Sequence, residues 1–114
     1  MEANRVEGVV RLKRNRERVT RGPVFLGTAI LDRKRYWLSL WPRVKGSMRY
    51  MRGFAEEKRG QVRGDFVVLP PQTDQERAEF WGDGYITIGS DRYRATLVPA
   101  PSEDIYVASE LEVL

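Results

Sequence analysis

Apolar and polar side chains alternate along several short stretches of the chain, most clearly between Tyr36 and Arg43. The even positions of this stretch hold Tyr36, Leu38 and Leu40. The odd positions hold Trp37, Ser39, Trp41 and Arg43. Successive side chains of a strand point to opposite faces. The pattern therefore predicts a strand with one face in a core and a second face that places two tryptophans beside an arginine.

Eight segments of this kind predict an all-β protein. They are short, rich in Val, Ile, Tyr, Trp and Phe, and separated by turn residues, which favours strands over helices. The predicted strands are Val6–Lys13, Val24–Leu31, Tyr36–Val44, Met48–Ala55, Gln61–Leu69, Glu79–Ile88, Arg92–Pro99 and Ile105–Glu112. Because 114 residues suit one domain, we expect a single compact sandwich or barrel of about eight short antiparallel strands.

The two halves of the chain, residues 1–57 and 58–114, resemble copies of one four-strand unit. A shift of 57 residues without gaps aligns Gly27–Pro42 with Gly84–Pro99. The identical pairs in this alignment are Gly27/Gly84, Arg35/Arg92, Tyr36/Tyr93, Leu40/Leu97 and Pro42/Pro99. A unit of half this length is marginal alone. The sequence thus predicts an internal repeat whose halves share one core in a single domain, residues 1–114.

The same shift extends to the first and last strands of each half. It aligns Val10 and Leu12 with Val67 and Leu69. It also aligns Met48–Phe54 with Ile105–Leu111. That second alignment predicts a core role for Met48, Tyr50 and Phe54, with Arg49 and Met51 pointing outward.

Charge divides between the two halves. Residues 1–57 contain 14 basic and 6 acidic side chains, a net charge of +8, whereas residues 58–114 contain 6 basic and 10 acidic ones, a net charge of −4. The contrast is strongest after the first strand of each half. Lys13–Arg21 carries five positive charges and one negative, and its counterpart Pro70–Ala78 carries one positive and two negative. The basic half is therefore the candidate for an anionic partner.

The amino-acid composition argues against most common catalytic mechanisms. The chain has no histidine and no cysteine, so it lacks the usual transition-metal ligands, disulfides and the commonest acid–base group near neutral pH. No nucleotide-binding or hydrolase motif is present. We expect a protein that is not an enzyme and has no metal or cofactor. Without a long apolar run or an apolar leader at the start, we also expect a cytoplasmic protein with no membrane partner.

A basic loop beside an aromatic sheet face is typical of proteins that bind single-stranded nucleic acid with low sequence specificity. Arginine and lysine neutralise phosphates, while exposed rings stack on bases. The sequence therefore predicts non-catalytic binding of single-stranded DNA or RNA through the first half. The candidate binding residues are Lys13, Arg14, Arg16, Arg18, Arg21, Trp37, Trp41, Arg43, Lys45 and Arg49.

Plainer interpretations of the same residues stay open. Trp37 and Trp41 can pack beneath a loop or the other half, and Arg14–Arg21 can be a solvated loop. A second function is a protein-interaction module, because the basic half can dock on an acidic partner protein or attract the acidic half of another copy. Tryptophan and arginine are also enriched at the centres of protein interfaces.

The segment Tyr93–Leu111 resembles the end of a small all-β protein family carried on bacterial conjugative plasmids. The shared pattern is a tyrosine, an alternating strand, a turn that contains proline, and a strand that begins Ile105-Tyr106. Tyr36–Leu40 is similar to the same strand. The chain departs from the family in its basic first loop and in lacking the family's opening motif. The resemblance implies a mobile-element or phage origin, where partners are often nucleic acid or host proteins, and it implies no activity.

Overall fold

The eight strands close into an antiparallel barrel. The structure is a computed structural model that describes residues 5–17, 20–69, 82–101 and 104–114. Each strand pairs with the next in sequence, and the last strand pairs with the first. Among these residues no helix has the length and apolar character needed to span a bilayer. The strands are β1 (Arg5–Arg14), β2 (Phe25–Leu31), β3 (Lys34–Lys45), β4 (Met48–Lys58), β5 (Gln61–Leu69), β6 (Gly82–Ile88), β7 (Asp91–Pro99) and β8 (Ile105–Val113).

Alternate positions on the strands fill the barrel interior with apolar side chains. The predicted core residues of β3, which are Tyr36, Leu38 and Leu40, are all buried. The largest fully buried side chains contributed by the other strands are Val10, Leu12, Phe66, Val68, Ile86, Leu97 and Leu111. Apart from Tyr36, no polar or charged side chain is buried among the residues whose exposure the structure describes. The prediction of an all-β, eight-stranded fold is confirmed.

Strand positions agree with the repeat in three of the four strand pairs. β2 and β6 begin at residues 25 and 82, β3 and β7 at 34 and 91, and β4 and β8 at 48 and 105. The first pair does not follow the gapless alignment, because Val10 and Leu12 occupy the interior as Phe66 and Val68 do. A shift of 56 residues is needed to align the buried residues of β1 with those of β5. A slip of one residue moves every side chain to the other face of a strand, so the alignment without gaps is wrong for β1 and β5.

The predicted core face of β4 is wrong. Phe54 is 43% exposed and Met48 is 45% exposed, whereas Gly53 and Ala55 are buried. Partly buried Met51 packs against the core. Register explains the reversal, because Leu38 of β3 pairs with Ala55 of β4 and directly paired residues point to the same face of a sheet.

Volume explains why small residues of β4 face inward. Gly53 pairs with Leu40 on one side and with Phe66 on the other, and both of these large side chains are fully buried. A Cβ atom built on Gly53 would lie 1.6 Å from the carbonyl oxygen of Ser39. The interior at this level is therefore already filled by β3 and β5, and the bulky side chains of β4 turn outward.

Candidate nucleic-acid interface

Four aromatic side chains lie along the outer face of β3 and β4. Strand alternation directs Trp37 and Trp41 of β3, and Tyr50 and Phe54 of β4, away from the barrel interior. The register makes each ring a diagonal neighbour of the next, in the order Trp37, Phe54, Trp41 and Tyr50. Diagonal neighbours in a sheet lie within reach of aromatic side chains. We call these four residues the aromatic ladder.

Exposure differs along the aromatic ladder. Trp37 is 50% exposed, a fraction similar to that of Phe54, while Trp41 and Tyr50 are partly buried. The rings of Trp41 and Phe54 meet edge to face, with centroids 5.9 Å apart and planes at 67°, which is a favoured aromatic geometry. The assignment of both tryptophans to the outer face is confirmed. Trp37 and Phe54 present open ring surface, and Trp41 supports Phe54.

The connector between β1 and β2 meets the aromatic ladder at Trp41. The indole Nε1–H of Trp41 donates a hydrogen bond to the carbonyl oxygen of Arg21 at 2.9 Å. Within the connector, the backbone N–H of Asn15 donates to the carbonyl oxygen of Val24 at 2.8 Å, and its side-chain Nδ2 donates to the carbonyl oxygen of Pro23 at 3.0 Å. These bonds bring the end of the connector back beside β3. Arg21 therefore lies next to the ladder.

Two further arginines flank the ladder on β3 and β4. The guanidinium carbon of Arg35 lies 5.8 Å from the centre of the Trp37 ring, close enough for a cation–π contact. Arg52 pairs with Trp41 across the two strands, and its guanidinium is 4.0 Å from the carboxylate of Asp65. Sequence reasoning did not select either arginine for the interface. Both place positive charge within one side chain's reach of a ring.

A group of cations lies on the β3–β4 hairpin, beyond the Tyr50 end of the ladder. Arg43, Lys45 and Arg49 are all exposed. The guanidinium of Arg43 donates a hydrogen bond to the carbonyl oxygen of Pro42 at 2.9 Å. Of the carboxylates in the described ranges, none lies within 4.0 Å of these three cations. Their charge is therefore available to an anionic ligand.

Arg14 and Arg16 lie at a different place on the barrel. Both form ion pairs with Asp104, which comes from the connection between β7 and β8, and the Arg14 Nε to Asp104 Oδ1 distance is 3.7 Å. The backbone N–H of Arg14 also donates to the carbonyl oxygen of Asp104 at 3.1 Å. The guanidinium carbon of Arg14 lies 5.1 Å from the ring centre of Phe25. These two arginines are thus turned toward β8 and already have a carboxylate partner.

The remaining predicted residues divide between the two faces of the sheet. Lys13 is on the outer face of β1, paired with Leu26 of β2. Arg49 pairs with Val44 and so shares the opposite face of the hairpin from Arg43. Arg18 lies outside the described residues. The structure therefore joins Arg21, Trp37, Trp41, Arg43 and Lys45 around the ladder and separates Arg14, Arg16 and Arg49 from it.

This surface also includes Phe54, Tyr50 and Arg52, which the sequence pattern did not predict as part of it. The reason is the reversed face of β4, which placed Phe54 and Tyr50 in the core. A signal for the correct face was present, because Arg52 and Glu56 occupy the same alternation as Phe54. A strand face that carries two charged residues is expected to face solvent.

Comparison with protein-family models, with curated proteins and with solved structures found no match to this chain. The resemblance of Tyr93–Leu111 to a plasmid-borne family stays a prediction.

Proposed function

We propose that this chain binds single-stranded nucleic acid along the aromatic ladder, without catalysis and with little dependence on base sequence. The observation that carries the proposal is the exposure of Trp37 and Phe54 on a face flanked by arginines. Every base has an aromatic face, so stacking on protein rings tolerates any sequence. The same chemistry serves DNA and RNA.

Stacking on the two open rings can provide much of the affinity. A stacked base contributes about 1–3 kcal/mol in proteins of this kind, so Trp37 and Phe54 together contribute roughly 2–6 kcal/mol. Because each 1.4 kcal/mol is a factor of about ten in affinity, this range corresponds to about 30-fold to 10⁴-fold. The partly buried Trp41 and Tyr50 add less.

Phosphate contacts fit the spacing of the ladder. Successive rings of the ladder are diagonal neighbours on β3 and β4, roughly 7–8 Å apart, so an extended strand can pass its bases over successive rings. Arg35, Arg43 and Arg52 then lie beside the phosphates. Each phosphate contact on a single strand lowers the slope of log K against log salt concentration by about 0.7, so three contacts predict a slope of about −2.

The test is a titration of the protein with a single-stranded oligonucleotide at low salt, followed by tryptophan emission. We expect binding to quench the emission and added salt to restore it. Trp37→Ala should weaken binding by about 5- to 150-fold, the equivalent of one stacked base. The matched control is Tyr85→Ala, because Tyr85 lies on β6 in the other half of the barrel with Arg92 5.2 Å from its ring centre.

Two results would overturn the proposal. The first is unchanged emission and electrophoretic mobility at low salt with both DNA and RNA oligonucleotides. The second is an equal loss of affinity in Trp37→Ala and Tyr85→Ala, since binding would then not depend on the ladder.

A protein-interaction module is the second candidate, and exposed apolar residues on β1 and β2 favour it. Val9, Leu26 and Ile30 are each more than two-fifths exposed, at 47%, 42% and 42%, and Val9 pairs directly with Ile30. Exposed apolar residues that lie together are typical of protein contacts. Barrel closure leaves β1 and β2 paired on both sides with no free edge to extend, so a partner would pack on this face. Sedimentation velocity of the protein alone tests self-association, and a monomer at all concentrations would exclude it.

A further inference from the structure

The β3–β4 hairpin continues past the barrel as a two-stranded ribbon. The last register pairs with the neighbouring strands are Phe25 with Leu40 and Val68 with Met51. Beyond them, within the part of the chain that the structure describes, residues 43–45 and 48–50 pair only with each other. Residues 42–49 are all exposed. We call residues 42–50 the ribbon.

Two residue types set the limits of the ribbon. The carbonyl oxygen of Leu40 accepts a hydrogen bond from the N–H of Val24, which leads into β2, at 2.8 Å. Two residues further, the backbone of position 42 is again directed toward the β2 side, but β2 has ended. Proline suits this position because it has no N–H that would need a partner. At the tip, Gly46 has a φ of 61° in the two-residue turn Gly46-Ser47. Glycine at the first position of such a turn is typical of tight hairpins.

Among the described residues of the other half, the β7–β8 connection carries no such ribbon. The equivalent strand β7 ends at Pro99, and β8 begins at Ile105 after a connection of five residues. In that connection Asp104 reaches across to Arg14 and Arg16. The ribbon is therefore a property of residues 42–50 and not a consequence of barrel closure.

The ribbon has the chemistry of a groove-binding element. It carries Arg43, Lys45 and Arg49 and no acidic residue. Close to its tip, Val44 is 68% exposed and Met48 is 45% exposed. Cations that contact phosphate and apolar side chains that contact base edges, such as the thymine methyl group, suit an element that enters the major groove.

The size of the ribbon also fits a duplex groove. From Pro42 to Lys45 the strand advances about 10 Å, at roughly 3.4 Å per residue. The major groove of B-DNA is about 12 Å wide and 8.5 Å deep and admits a two-stranded β-ribbon. The ribbon is thus long enough to reach the floor of the groove while the barrel stays outside.

We propose that the preferred ligand is a nucleic acid duplex with a single-stranded extension. The extension lies on the aromatic ladder, and the ribbon enters the groove of the duplex that continues from it, with Val44 and Met48 at the junction. The part played by the ladder rests on the proposed function above. The role of the ribbon goes beyond that function. A ligand that joins a duplex to a single strand contacts both the ribbon and the ladder, whereas a single strand alone contacts only the ladder.

The experiment compares three fluorescently labelled ligands of equal total phosphate number by anisotropy: a single strand, a blunt duplex, and a duplex with a single-stranded tail. We expect the tailed duplex to bind at least tenfold more tightly than either of the others. Charge reversal on the ribbon at Arg49→Glu, which lies on the face turned away from the ladder, should remove that preference and leave affinity for the single strand within about threefold. The matched control is Arg33→Glu, the same charge change at an exposed position of the β2–β3 turn.

The outcomes separate the two proposals. Equal affinity for the single strand and the tailed duplex overturns the inference about the ribbon and leaves single-strand binding intact. Equal affinity for the blunt and tailed duplexes also overturns it, because the tail would then contribute nothing. No binding to the single strand overturns the proposed function. If the ribbon and control variants had equal effects, the preference for the tailed duplex would depend only on the net charge of the protein. That result would also contradict the inference.

Discussion

Trp41 should stabilise the fold as well as contribute to binding, and Trp41→Ala separates it from Trp37. The indole of Trp41 has two partners in the structure, the carbonyl oxygen of Arg21 and the ring of Phe54. Trp37 is half exposed and has the guanidinium of Arg35 over its ring. We therefore expect Trp41→Ala to lower stability and affinity together, whereas Trp37→Ala lowers mainly affinity.

The loss of stability follows from those contacts. A hydrogen bond contributes about 0.5–1.5 kcal/mol net, and an edge-to-face aromatic pair contributes about 0.5–1.5 kcal/mol beyond its buried area. Trp41→Ala should therefore cost about 1–3 kcal/mol. In a domain near 100 residues this lowers Tm by roughly 4–12 °C. Trp37→Ala loses an exposed cation–π contact worth about 0.5–1 kcal/mol.

The assay is urea denaturation followed by circular dichroism for the two alanine variants and for Trp41→Phe. Phenylalanine keeps a ring against Phe54 but has no N–H to donate to Arg21, so Trp41→Phe should fall between the wild type and Trp41→Ala. Equal destabilisation by Trp37→Ala and Trp41→Ala would refute this reasoning. A Trp41→Phe variant as stable as the wild type would show that the bond to the connector adds nothing.

Three other predictions concern the core, the cations and pH. Gly53→Ala should cost about 3 kcal/mol or more in denaturant unfolding, because its Cβ would overlap a carbonyl oxygen of β3; a change below 1 kcal/mol would contradict the close packing. Arg43→Glu should weaken single-strand binding more than Arg16→Glu in salt titrations, because Asp104 already pairs with Arg16; equal effects would contradict this. Burial raises the pKa of Tyr93 above its ordinary value of 10.0, so its contribution to stability is complete below pH 10 and declines as the pH rises through the higher value. Denaturation between pH 9 and 12 should show this decline in the wild type and less of it in Tyr93→Phe.

Local alternation predicted the strands and the two faces of β3. Tyr36, Leu38 and Leu40 were expected inside and are buried, and Trp37 was expected outside and is half exposed. These features are local, because a side chain's face relative to its neighbours depends only on the period of two along the strand. The number of strands follows from the same pattern and from the turn residues between segments.

Tertiary structure decided which face of β4 points inward. An alternating strand has two possible faces, and the large residues Tyr50 and Phe54 made the wrong one look like the core. The choice depended on the volume already filled by Leu40 and Phe66, which pair with Gly53 from either side. Since Phe66 is 13 residues from Gly53 in sequence, the local pattern of β4 cannot predict the volume that Phe66 fills.

Which residues form the candidate interface was decided in the same way. The sequence alone identified a basic half, two outward tryptophans and a basic connector. Only the barrel places Asp104 against Arg16, across 88 residues of chain, and turns Phe54 toward Trp41. The physical reason is that alternation and charge are properties of one strand, whereas register, closure and ion pairing depend on which strands become neighbours.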